Sequence, residues 1–349
     1  MSERIWIATR KGLFAAEKRR AGWAISQPFL IGKPVTMMLE DARNARLYAA
    51  LNEGHFGVHL HASEDGGTTW RELAAPAFPK SDSADAPSVS QIWALEAGGK
   101  DEPGILWAGT IPGGLFQSHD HGQTWTLNTA LWNMPERTKW FGGGYDAPGI
   151  HSIIVDPRGS SDIRLGVSCG GVWRTRDGGA TWSLHCDGMY ADYMPPEQRN
   201  DAAIQDPHRL VQCRGAPDVH WVQHHNGIFR SANDLNSWDN ITKAGPSTFG
   251  FAVAAHPKDP QTAWFVPALK DEARYPEGGR FVVTRTRDGA KTFEVLSRGL
   301  PQGPAWDLVY RHGLDVDTSG DRLALGSTTG NLWVSENGGD EFTQVSANL

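Results

Sequence analysis

The sequence predicts an all-β fold, a seven-bladed β-propeller, from three observations. An eight-residue turn recurs along the chain, its copies are spaced by the length of one four-stranded sheet, and the composition favours short strands over helices. The 349 residues include 40 glycines, 21 prolines and 15 tryptophans, and the apolar runs are short, as expected for many strands joined by tight turns.

The turn is clearest as SEDGGTTW at Ser63 to Trp70, SHDHGQTW at Ser118 to Trp125 and TRDGGATW at Thr175 to Trp182. Weaker copies are SANDLNSW from Ser231, TRDGAKTF from Thr286, SENGGDEF from Ser335 and a decayed AEKRRAGW from Ala16. The intervals between them, roughly 47 to 57 residues, suit one propeller blade and exceed leucine-rich or ankyrin units. The Asp or Asn accepts bonds from the N–H groups of its own turn, the glycines supply positive φ, and the closing aromatic packs on the neighbouring sheet. The turn is therefore expected to staple strands C and D of each blade and to carry no chemistry of its own.

With the strands of a blade lettered A to D, seven B–C–D sets are present. Six A strands are expected near Thr36, Gln91, His151, His208, Gly250 and Asp307. The first set opens at strand B with RIWIATR, so residues 1–349 are expected to form a single domain whose first blade lacks its inner strand.

Bulk composition narrows the function. A net charge of −7 without a basic stripe argues against nucleic-acid binding. The opening MSERIWIATRKGL has no long apolar region with a cleavage site, and no stretch approaches the ~18 apolar residues of a membrane span, so no membrane association and a cytoplasmic location are expected. Cys169, Cys186 and Cys213 are odd in number and lack CxxC spacing, which reads as reduced thiols.

The motif S-x-D-x-G-x-T-W is carried in full by Ser63, Asp65, Gly67, Thr69 and Trp70, and again by Ser118, Asp120, Gly122, Thr124 and Trp125. In these residues the chain resembles the Asp-box, or BNR-repeat, family, whose bacterial members are commonly labelled glycosyl hydrolases or sialidase-like proteins. The resemblance covers nearly the whole chain and implies the propeller fold and a glycosyl-hydrolase-like activity. Sialidases also carry an early Arg-Ile-Pro signature, which this sequence lacks.

The functional end is expected opposite the repeated turns, where the longest loops gather: Asn128 to Gly149, Cys186 to Pro207, Asn52 to Gly57 and Lys270 to Gly279. These loops are rich in Trp, Tyr and Met, unlike disordered segments. Aligning the A strands brings His151, His208 and Asp307 to one ring of positions, where a core strand would carry apolar residues. Tyr145, Asp146, Tyr190 and Asp192 join them as candidate catalytic groups, and Glu53, His55, His225, Arg274 and Tyr275 as candidate ligand-binding groups.

Three function classes fit this set. A hydrolase or lyase would use two carboxyl groups, or a histidine and a carboxylate, with Asp307, Asp146, Asp192, Glu197, Asp201 and Glu272 as the acids. A metal enzyme would hold a divalent transition ion on His151, His208, His225 and Asp307. A non-catalytic scaffold would use the same end for a small-molecule ligand or a protein partner. Alternation lets only one of His224 and His225 face the site, while His59 and His61 read as packing and His119 and His121 as exposed turn residues.

Overall fold

The computed structural model describes residues 1–83 and 85–349. It is an all-β propeller of seven antiparallel sheets, six of them four-stranded and the first three-stranded. Helices are confined to short loop segments such as Thr129–Trp132, Pro135–Lys139 and Ala202–Ile204. Among the described residues no helix is long and apolar enough to cross a membrane.

The first sheet comprises Arg4–Thr9, Gly12–Arg19 and Gly22–Ile25. The decayed copy of the repeat, which has no Asp, is here a plain hairpin that pairs Lys18 with Trp23 and Arg19 with Gly22. The chain contacts divide into two compact units. One holds Trp6–Ala15 and Ser26–Leu184; the other holds Met1–Ile5, Ala16–Ile25 and His185–Leu349.

The first unit contains the sheets that begin at Val35, Gln91 and Gly149. Its core is apolar strand surface, with Trp107 and Trp173 fully buried on central strands and Tyr48 in the equivalent place of the Val35 sheet. The second unit contains the sheets that begin at Pro207, Gly250 and Leu314, centred on buried Trp221, Trp264 and Trp333. One bulky aromatic on a central strand of each four-stranded sheet accounts for five of the fifteen tryptophans, since such a ring fills the gap between facing sheets. Within this unit the last strand of the first sheet lies against the final sheet. Lys18 and Arg322 both pair with Glu336, at 2.5 and 2.7 Å, and Arg322 also lies 4.9 Å from the centre of the Trp23 ring.

The repeated turns form the hydrogen bonds expected of them. In the first full copy the Ser63 hydroxyl donates to Asp65 Oδ1 at 2.8 Å and accepts from the Gly67 N–H at 2.9 Å. Asp65 then accepts from the Thr69 N–H at 2.9 Å and from the Thr69 hydroxyl at 2.6 Å. The same set recurs at Asp120, Asp177 and Asp288. Where the chain has Asn233, its Oδ1 accepts from the Ser237 N–H and its Nδ2 donates to the Ser237 hydroxyl, so the amide keeps the geometry without a charge. Gly67, Gly122 and Gly179 adopt positive φ at the fifth position of the turn, and the copies with Leu235 and Ala290 force a side chain into that region.

Strand A carries a second regularity. In five sheets its register against strand B slips once, between Val35 and Met37, Ile92 and Ala94, Ile150 and Ser152, Pro207 and Arg209, and Gly250 and Val253. Such bulges leave a residue out of the ladder and re-aim its side chain. The bulged residues are Thr36, Trp93, His151, His208 and the Phe251–Ala252 pair. Thr36, His151 and His208 thus coincide with the aligned positions, whereas Gln91 and Gly250 open their strands without being bulged. The last A strand is Leu314–Val316, not a strand from Asp307, because Arg311–Gly313 is a short 3₁₀ turn and the Leu308 carbonyl accepts instead from the Thr328 N–H.

Four turn aspartates have carboxyl groups lowered to about 2. At Asp65 and Asp288 the threonine hydroxyl leads in lowering it, at Asp177 the Thr175 and Thr181 hydroxyls do, and at Asp120 the same bonds overcome an opposing effect of burial. A depressed folded-state value contributes stability above the ordinary carboxyl range, and that contribution is lost as pH falls through the folded value. The thermal midpoint should therefore drop between about pH 4 and pH 2. Replacing all four aspartates by Asn should flatten that drop, which differential scanning calorimetry across the acid range will read; an unchanged slope would contradict it.

Candidate metal centre

In the second unit, the loop that ends at Asp206 feeds directly into the strand Pro207–Gln212. The Asp206 N–H points at His224 Nε2 at 3.0 Å, and the Asp206 carbonyl accepts from the His225 N–H at 3.0 Å. These contacts fold the hairpin after strand His220–His224 back over the start of strand A. They set Asp206 and His225 side by side, while the bulge turns His208 toward the same point.

The Asp206 Oδ2 atom lies 3.3 Å from His208 Nε2 and 3.7 Å from His225 Nδ1. One donor atom from each of the three residues falls within 4.8 Å of the others. The second imidazole nitrogen of His208, Nδ1, is 2.7 Å from the Gly250 carbonyl oxygen. His208 stacks on Phe251 at 4.5 Å between ring centres, with the planes 15° apart, and meets His225 edge-on at 5.6 Å.

Around this floor stand aromatic and cationic side chains. Tyr193 meets the His225 ring edge-on at 4.8 Å, and Phe249 is 5.9 Å from His208. The Phe251 ring also contacts Tyr310 at 4.8 Å and carries the guanidinium carbons of Arg274 and Arg311 at 5.2 and 5.7 Å. Arg274 is fixed by Asp271, which accepts from both its Nε and its Nη2. Asp206, His208 and Arg311 are buried, while His225 is half-buried and Arg274 exposed, so the cluster reaches solvent through His225 and Arg274.

Burial alone would raise the Asp206 carboxyl, but His208 and Arg311 outweigh it and hold the group well below the usual carboxylate range. Burial pushes His225 down, with the neighbouring His208 adding to the effect. The His224 imidazole falls to about 3 because it is buried, and the neutral ring has one acceptor nitrogen, so it accepts from one of the two backbone N–H groups beside it, Asp206 at Nε2 or Asn226 at Nδ1, each 3.0 Å away. His224 is thus a neutral brace, and His225 is the member of the pair that faces the cluster.

Each of the other candidate positions has partners of its own. His151 lies in the first unit, fully buried, with Nδ1 2.9 Å from the Ser152 hydroxyl and its ring edge-on to Trp93 at 5.5 Å. Tyr145 meets the same Trp93 at 5.1 Å, and Asp146 beside it is exposed. Glu53 pairs with Lys33 at 2.8 Å, and His55 is exposed against Phe56.

In the second unit Tyr190 accepts from Asn240 Nδ2, Asp192 stands 3.9 Å from Arg199, and Tyr275 meets Trp306 edge-on at 5.4 Å. Asp307 is outside the three-residue cluster: its Oδ1 accepts from the Ser327 hydroxyl at 2.6 Å, from Asn331 Nδ2 at 2.7 Å and from the Thr329 hydroxyl. It borders a cavity of about 460 Å³ that Trp306, Pro301 and Pro304 also line. Asp206 and Arg311 were not among the candidates. Alternation carries no signal for Asp206, because it precedes the strand and the bulge at His208 breaks the two-residue repeat.

No protein-family profile and no curated protein matches the sequence. Solved structures do match in fold. A GH74 enzyme from Niastella koreensis is 17% identical with a TM-score of 0.68, over 99% of this chain and 52% of that one. YCF48 from Cyanidioschyzon merolae is 16% identical with a TM-score of 0.63, over 96% and 91% of the two chains. YCF48 bound to a D1 peptide is 15% identical with a TM-score of 0.57. The chain spans about half the length of the GH74 enzyme, and at such identities the likeness is one of fold.

The three bonds on Asp307 predict a structural role. Asp307→Ala strands its donors and should cost about 1–3 kcal/mol. Urea denaturation will measure the loss, and an unchanged unfolding midpoint would contradict the assignment.

Proposed function

We propose that the chain binds a small polar molecule beside Asp206, His208 and His225 and acts on it as a hydrolase or lyase. The observation that carries this reading is the cluster of Asp206, His208 and His225, whose His208 ring stacks on Phe251, the ring that also carries the guanidinium groups of Arg274 and Arg311, with Tyr193, Phe249 and Tyr310 packed around it. Few orienting polar groups in an aromatic surround that reaches solvent is the pattern of a small-molecule site. The likeness of fold to GH74 enzymes supports a glycosyl-hydrolase-like variant of the reading. That variant needs a pair of carboxyl groups astride the bond. Of the nominated acids, Asp201 caps the turn at Ala203, Glu272 pairs with Lys270, and Asp307 is held by three donors. The histidine–carboxylate cluster is accordingly the favoured centre.

A second reading, a non-catalytic scaffold for a peptide or protein partner, has its own support. Trp306 is 61% exposed beside the cavity at Asp307, and a propeller of similar fold, YCF48, has been solved with a D1 peptide.

One experiment separates the two. Thermal-shift and calorimetric titrations with small sugars, carboxylates and phosphate should find a ligand whose affinity falls about tenfold or more, roughly 1.4 kcal/mol, in both His225→Ala and Arg274→Ala. Trp306→Ala should leave that affinity unchanged. Affinity lost in Trp306→Ala and retained in His225→Ala would favour the scaffold instead.

A further inference from the structure

The His208 ring is fixed by a bond that can have only one sense. Its Nδ1 atom lies 2.7 Å from the Gly250 carbonyl oxygen, and a carbonyl only accepts, so Nδ1 carries the proton. In the neutral ring the lone pair is then on Nε2, which faces Asp206 Oδ2 at 3.3 Å. The half-buried His225 turns Nδ1 toward the same oxygen at 3.7 Å. A carboxylate oxygen and an imidazole lone pair do not face each other at this distance without a positive charge between them. That charge is either an added proton or a metal ion.

The spacing also suits the ion. Tetrahedral ligands at about 2.0–2.2 Å from a metal stand roughly 3.3–3.6 Å from one another. The His208 distance to Asp206 Oδ2 falls at that edge length, the His225 distance is about 0.1 Å beyond it, and all three donor atoms lie within 4.8 Å. The surroundings also match a metal site, in which the second nitrogen of a ligating histidine is usually held by a carbonyl or carboxylate that sets the tautomer. The Gly250 carbonyl does this for His208. The Asp206 carbonyl accepts from the His225 N–H, so two of the three donors are held in mutual register before any ion arrives.

We propose that Asp206, His208 and His225 form a binding site for one divalent first-row transition ion, with the remaining coordination positions open toward the exposed side. Two imidazoles and one carboxylate, with no thiolate, suit zinc, iron(II), cobalt or manganese, and three protein ligands leave room for a water or a ligand oxygen. The inference goes beyond the small-molecule reading and is tested without any organic ligand, so either can fail alone.

The experiment uses tag-free full-length protein stripped with chelator, titrated with cobalt(II) and zinc(II) chloride by calorimetry, with the visible cobalt spectrum as a second readout. One equivalent should bind with a dissociation constant tighter than about 10 μM, and cobalt should develop its ligand-field bands. His225→Ala, at a half-exposed position, and the near-isosteric Asp206→Asn should each weaken binding at least about tenfold and alter the spectrum. His119→Ala, at an exposed turn position, should change neither. Calorimetric melting confirms that the variants are folded. Folded wild-type protein that binds neither metal below about 1 mM, or binding retained in both ligand variants, would overturn the site and leave a protonated His208 paired with Asp206.

Discussion

Each copy of the repeat that keeps its Asp or Asn closes its last hairpin with its own side chains, and the remaining organisation of the chain follows from that. The hydroxyl of Ser63 or its equivalent and the carboxylate two residues on satisfy the N–H groups of a tight turn without help from another element. Because the turn is locally complete, it tolerates Asn for Asp at positions 233 and 337, and Leu or Ala where glycine usually stands. The loops at the opposite strand ends carry no such duty. They vary from the tight His224–Gly227 hairpin to long segments with short helical turns, and the histidine cluster is built there.

A common device then differentiates the sheets. The bulge in strand A occurs in five of them, and it lifts one residue out of the ladder in four and the Phe251–Ala252 pair in the fifth. In the first unit the lifted side chains are Thr36, Trp93 and His151, and each meets ordinary partners: Thr36 donates to the Ala50 and Ile92 carbonyls, and Trp93 and His151 pack on one another. In the second unit the lifted pair is His208 and Phe251, which stack, and the loop ahead of His208 supplies Asp206. The same backbone irregularity thus yields packing in one unit and a polar cluster in the other. The difference lies in what the flanking loops bring to it.

Much of this was legible in the residues. The spaced turns gave the sheets. His208, His225 and Arg274 were nominated from position and chemistry, and the structure gathers them near one point. Asp206 escaped because Gln-Asp-Pro reads as an ordinary turn, and its role depends on a backbone bond to His225 that alternation does not encode. Phe251 and Trp93 escaped because a bulge shifts register by one residue without a mark in the sequence. Asp307 was misaligned because the apolar Leu308, Val309 and Tyr310 that follow it imitate a strand, whereas the true strand begins after a 3₁₀ turn.

The central claim is that the bulge at His208 turns its ring so that Nδ1–H bonds the Gly250 carbonyl and Nε2 faces Asp206. The most direct measurement is nitrogen-15 NMR of the histidine rings in metal-free protein at neutral pH, assigned by comparison with a His225→Ala variant and with selectively labelled samples. The account predicts that His208 carries a proton on Nδ1. A His208 ring protonated only on Nε2 would contradict it, because that tautomer can neither donate to Gly250 nor present a lone pair to the cluster.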